Sequence, residues 1–77
     1  MRTFKIGDWV INTVNLDAPP LILLPKGTLL QIIYRREEDD LNYLALNGVS
    51  IYGGWFSHKF RIATLSEIPN SQLTFEF

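Results

Sequence analysis

The strongest constraint on this chain is the order of signals between Lys26 and Ile62. A run of β-formers from Thr28 to Tyr34 stops at Arg35-Arg36-Glu37-Glu38-Asp39-Asp40. Leu41 to Leu46 resumes the β character, Asn47-Gly48 interrupts it, and Val49 to Tyr52 returns. Asn and Gly accept the positive φ angles of a tight type I′ turn, which makes Asn47-Gly48 the clearest hairpin signal in the chain. No segment sustains apolar residues at helical spacing, so the pattern predicts antiparallel strands throughout. Within the best of them, alternation places Leu30, Ile32 and Tyr34 on one face and Leu29, Gln31 and Ile33 on the other. Both sets are mostly apolar, which predicts a strand covered on two sides.

The flanks fit the same reading. Phe4 and Ile6 lead to a Gly7-Asp8 turn, and Trp9 to Thr13 is rich in β-formers and reads as a first strand. Asn15 to Pro20 reads as a loop, because Asp17 and Pro19-Pro20 exclude helix. Leu21 to Leu24 fits either a short strand or an apolar lip, ended by the turn at Pro25-Lys26-Gly27. Gly53-Gly54 permits a bulge or a close backbone approach ahead of Trp55-Phe56. Ser57-His58-Lys59 has the length of one 3₁₀ turn, and Phe60 to Thr64 reads as a closing strand. A turn region from Ser66 to Ser71 follows. In the tail, Leu73, Phe75 and Phe77 alternate with Thr74 and Glu76. That terminal strand either closes the sheet against Phe4 and Ile6 or pairs with another chain.

Composition narrows the class. At 77 residues the chain is expected to be a single domain spanning 1–77, with 65–77 as a C-terminal extension or added strand. A hydrophobic fraction of 47% supplies enough apolar surface to offset chain entropy, so disorder is disfavoured. With no cysteine, neither a disulfide framework nor a thiolate metal site holds the fold. Seven basic and eight acidic residues lack the cationic excess of a dedicated duplex-DNA binder. The longest continuous aliphatic run, Leu21 to Leu24, is far too short to span a membrane. No apolar stretch follows the N-terminal Met1-Arg2-Thr3-Phe4-Lys5 to make a signal peptide, and a cytoplasmic location is the default expectation.

The order of features resembles the SH3 fold over about half the chain. Lys26-Gly27 with Leu30 and Ile32 looks like its diverging turn and second strand, and Arg35 to Asp40 stands in the place of the loop between strands two and three. Tyr43-Leu44-Ala45 looks like the third strand, Asn47-Gly48 like the distal hairpin, and Gly54 to Phe60 like the segment that ends in a 3₁₀ turn. The resemblance implies an all-β, five- to six-stranded SH3-like barrel with a short 3₁₀ turn. The departures fall where proline-peptide recognition would need other residues. Nothing near Trp9 to Thr13 is like the Ala-Leu-Tyr-Asp-Tyr segment of peptide-binding SH3 domains, and the loop after the first strand offers Asp17 as its single acid. Asn42 stands in place of the groove Trp, Ser57 in place of the groove Pro, and Phe60 in place of the groove Tyr. The resemblance therefore implies the shape of compact bacterial or phage SH3-like barrels without the polyproline groove.

Few residues suggest chemistry. Glu37, Glu38, Asp39 and Asp40 lack the alternating ligands and central Gly of a Ca²⁺ loop and stand beside Arg35-Arg36, so they read as a solvated loop. His58 is the only histidine and has no second His or Cys to share a metal. Ser57-His58 adjacency is not a nucleophile–base dyad, which draws on separate segments. Gly53-Gly54 precedes no helix and no phosphate-loop Lys. No catalytic residue, cofactor or metal is expected.

Two Trp in so small a domain are hard to bury completely, and exposed aromatics anchor interfaces. The leading expectation is a non-enzymatic interaction module that binds a protein partner or self-associates, in keeping with a phage or mobile-element adaptor or inhibitor. Its candidate surface comprises Trp9, Tyr52, Trp55, Phe56, His58 and Arg61. For the aromatics Trp9, Tyr34, Tyr52, Trp55 and Phe56, coverage of the domain's open ends is a plainer account than an interface. The alternative is a single-stranded nucleic-acid or nucleotide binder, stacking bases on Tyr52, Trp55 and Phe56 and contacting phosphate through Arg35, Arg36, Lys59 and Arg61.

Overall fold

The computed structural model describes residues 4–18, 22–51 and 53–68. Among them the chain forms eight strands and three 3₁₀ turns, and no α-helix. The strands are β1 (Trp9–Asn12), β2 (Leu16–Ala18), β3 (Ile22–Leu24), β4 (Leu29–Arg36), β5 (Leu41–Leu46), β6 (Val49–Ser50), β7 (Trp55–Phe56) and β8 (Phe60–Ile62). The turns are η1 (Glu37–Asp39), η2 (Ser57–Lys59) and η3 (Leu65–Glu67). Six strands make one antiparallel sheet in the order β6-β5-β4-β1-β8, with β7 pairing β5 alongside β6. No ladder among the described residues joins β8 to β6 or β7, so the sheet is open where a barrel was expected. The all-β class agrees with the sequence reading; the described strands number eight, six of them in the main sheet, where five to six were expected in all.

The stretch from Asn15 to Pro20 departs from the expected loop. Leu16–Ala18 pairs with Ile22–Leu24 as a separate hairpin, with Leu16 opposite Leu24. Both leucines are buried in the core while Asp17 and Leu23 face out, so period-two burial draws this segment into β form. The base of the hairpin is tied to β1 by Asn12, which is fully buried. Its Oδ1 accepts from Thr28 N at 2.7 Å, and its Nδ2 donates to the carbonyls of Val14, Leu24 and Pro25 at 2.9 to 3.0 Å.

A second departure lies in β4. Ile32 pairs with Leu44, yet Tyr34 pairs with Tyr43 and Arg35 with Asn42. The register shift makes Ile33 the extra residue of a β-bulge, and alternation restarts one residue out of step. Leu30, Ile32 and Arg35 face inward while Ile33 and Tyr34 are exposed, so the strand is covered on one face and not on the two expected. The core comprises Phe4, Val10, Leu16, Leu24, Leu30, Ile32, Leu44, Ile51, Trp55 and Phe60. Trp55 belongs to it because Trp55 pairs with the inward-facing Asn42, while its neighbour Phe56 pairs with Leu41 on the outer face.

The Asn47-Gly48 hairpin forms as read, with φ of 53° and 81°. Tyr52 and the alternating tail from Leu73 to Phe77 lie outside the described residues.

Candidate functional site

Two features stand side by side at the β4–β5–β7 end of the sheet: a polar cluster on the inner face and an aromatic surface on the outer one.

The inner cluster is built on Arg35. The bulge turns its side chain inward, where only 4% of it remains exposed. A guanidinium carries five N–H donors, and here every one is engaged. Nε donates to Glu37 Oε2 at 3.2 Å. Nη1 donates to Asn42 Oδ1 and, at 3.1 Å, to the Ser57 hydroxyl. Nη2 donates to Glu37 Oε1 at 3.2 Å and Asp40 Oδ1 at 3.1 Å. Asn42 Nδ2 donates to the Trp55 carbonyl at 3.1 Å and to Ser57 Oγ at 3.0 Å. Ser57 in turn gives its hydroxyl proton to Asp40 Oδ1 at 2.6 Å and its backbone N–H to Asp40 Oδ2 at 3.2 Å. Its one donor and two acceptor positions are thus all used, and no buried side-chain polar atom among the described residues lacks a partner.

The charges respond accordingly. Hydrogen bonding to Glu37 raises Arg35 above its ordinary range, against the opposing effect of burial. The Ser57 hydroxyl holds Asp40 below the usual carboxylate range, helped by Arg35, and Arg35 lowers Glu37 in the same way.

The outer surface follows from strand register. Arg36, Leu41 and Phe56 are lateral partners in one row, and Tyr34 and Tyr43 are partners in the next. The two tyrosine rings meet at 5.6 Å between centroids with a 42° tilt. Gly54 lies against Tyr43 so closely that a Cβ there would stand 3.1 Å from Cε1, which realises the close backbone approach expected at Gly53-Gly54. Phe56 stacks on His58 with centroids 6.1 Å apart and planes within 16°. Tyr34 is 55% exposed and Phe56 48%, so both rings present large apolar area to solvent. Beside them Tyr43, Ser50, Ile51, Gly53 and Gly54 line a shallow hollow of about 470 Å³.

The expected surface residues separate on this frame. Phe56 and His58 come together and face out. Trp55, expected on the same patch, packs in the core, because strand alternation directs it opposite to Phe56. Trp9 is half-buried on β1, paired with Gln31, and Arg61 lies on β8.

The expected phosphate contacts separate too. Arg35 is internal and fully paired. Arg36 bonds Asp39 at 2.5 Å, and hydrogen bonding to Tyr43 raises its pKa. Arg61 makes a bidentate contact to Glu67 at 2.9 and 2.7 Å. Lys59 is half-buried, with its carbonyl accepting from Thr13 N and Oγ1. Tyr34, one of the aromatics expected at an interface, is exposed, while its partner Tyr43 was not singled out by the sequence; regular alternation would have put Tyr34 on the face of Leu30 and Ile32. A bulge leaves no signature in Leu-Leu-Gln-Ile-Ile-Tyr.

No group of three or more His, Asp or Glu among the described residues is placed to hold a metal ion. No helix among them is long and apolar enough to cross a membrane. Comparison with protein families, curated proteins and solved structures finds no match to this chain.

Proposed function

We propose that this chain is a non-enzymatic interaction module of SH3-like architecture that docks a protein partner on the outer face of β4, β5 and β7. Support for the architecture comes from element order. β1 is followed by the β2–β3 hairpin, β4, a short charged turn, β5, a tight Asn-Gly hairpin, the η2 turn and β8, which returns beside β1. From β4 to η2 that is the succession the sequence resemblance implies; the β2–β3 hairpin lies outside it. Support for a surface other than a polyproline groove comes from Asn42, Ser57 and Phe60, which are buried at the three positions such a groove would use.

The observation that carries the reading is the exposed aromatic set of Tyr34 and Phe56 on adjoining rows, with Tyr43 beside Tyr34 and His58 of η2 stacked on Phe56. Large rings held by a rigid sheet lose little entropy on docking and are the commonest interface anchors. A protein partner is favoured over nucleic acid because Arg35, Arg36 and Arg61, three of the four expected phosphate contacts, already have carboxylate partners.

The test places a photo-crosslinking amino acid at position 56 and, as a control, at the exposed apolar position 65 on η3. In lysate of the native cells, position 56 should give a discrete protein adduct that falls on the order of tenfold or more with Tyr34→Ala. Labelling at position 56 no stronger than at position 65 would sink the idea. An adduct of twice the chain mass would assign the face to self-association instead.

A further inference from the structure

The η2 turn carries the exposed Phe56–His58 pair, yet it lacks a side-chain cap of its own: its N-cap residue is Phe56. The cap comes from another loop. Asp40, 17 residues earlier, receives both the backbone N–H and the hydroxyl of Ser57. Asp40 holds a left-handed backbone at the end of η1, with φ of 53°, and its Oδ1 is fixed by Arg35 Nη2. Ser57 is the one buried residue of η2, so the turn is gripped from inside while His58 projects outward.

We infer that this Arg35–Asp40–Ser57 clasp is a positioning device that sets the Phe56–His58 stack from within, so a carboxylate on one loop governs the shape presented by another. The clasp reaches Phe56 and His58 through their common neighbour, Ser57. The inference concerns the shape of the face and stands whether or not a partner docks there.

Asp40→Asn tests it, because an amide has one accepting oxygen where the carboxylate has two. Either the Ser57 N–H or the pair formed by the Ser57 hydroxyl and Arg35 then loses its acceptor. Ser57→Ala removes the hydroxyl alone, and serves if Asp40→Asn does not fold. Glu67→Gln is the control, since its carboxylate on η3 pairs with Arg61 and Thr64 and takes no part in the clasp. Two readouts apply: the ring-current shift of the His58 ring protons, with Phe56→Ala defining the unstacked limit, and amide exchange at Ser57.

In both clasp variants the His58 shift should move toward the unstacked limit. In Asp40→Asn, Ser57 exchange should also rise about tenfold or more. The methyl signals of Ile32 and Leu44 and the control variant should stay as in wild type. A His58 shift unchanged in both clasp variants would overturn the inference. So would a change that appears only together with equal changes in the core methyls, since that is loss of the fold and not release of the turn.

Discussion

Asn12 shows how much one polar side chain can hold. It sits at the end of β1, buried, and joins Thr28 on one side to the carbonyls of Val14, Leu24 and Pro25 on the other. Nothing in Trp-Val-Ile-Asn-Thr marks that Asn as different from an exposed strand residue, because three of its four partners lie 12 to 16 residues away. Asn12→Ala removes the side-chain partner of Thr28 N and of the carbonyls of Val14, Leu24 and Pro25. Thr28 and Pro25 keep their bonds to each other, whereas the buried Leu24 carbonyl loses this donor, and a buried group left unpaired costs about 1–3 kcal/mol. The expected outcome is a loss of about 1–3 kcal/mol, read as a lower urea midpoint with unchanged slope. Asn12→Asp restores the acceptor for Thr28 but none of the donations from Nδ2, so it should rescue little. Arg35 was misplaced for a related reason. Burial of an arginine requires partners for all five donors, and only the folded chain brings Asn42 and Ser57 to it.

At the scale of elements, local signals were legible and phase errors were not. The Asn47-Gly48 hairpin, the turn at Ser57-His58-Lys59 and the strand from Leu41 to Leu46 could all be read from residue type and spacing, because each depends on backbone preferences of a few neighbours. The bulge in β4 could not, since it depends on how β5 pairs across it. Ile33 is the surplus residue there, and its deletion leaves Ile32 opposite Leu44 and Arg35 opposite Asn42 in a regular ladder. Deleting Ile33 should therefore give a folded protein with a wild-type far-ultraviolet spectrum. A second deletion, of Leu44, reverses the faces of half of β5 and should unfold it.

The η3 turn illustrates a different balance. Glu67 closes a capping box with Thr64 and holds Arg61 in a bidentate pair, and these contacts bring its carboxyl down to about 2. The unfolded value is near 4.3. A depressed folded value means stability fully present above the unfolded pKa and lost as pH falls toward the folded one. Asp40 and Glu37 are shifted in the same direction. The urea midpoint should accordingly hold above pH about 5 and decline between about 4.5 and 2. Glu67→Gln should flatten part of that decline, and a midpoint insensitive to pH over that window would contradict the assignment.

Across the whole molecule, the sheet has a divided character. One end of its inner face is apolar, from Val10 and Leu30 to Leu44. The other is the polar cluster of Arg35, Asn42 and Ser57. The cluster joins β4, η1, β5 and η2, so it assembles only once the chain has brought together segments from 35 to 57. Interactions of that kind are expected after the main barrier to folding, when the β4–β5 pairing already exists. Ser57→Ala should therefore speed unfolding and leave refolding nearly unchanged, which a denaturant chevron reads directly. A refolding limb slowed in proportion to the stability lost would place the cluster in the folding nucleus. With a late-forming cluster, the buried guanidinium acts as a latch on escape: it lengthens the lifetime of the native state without hastening its arrival.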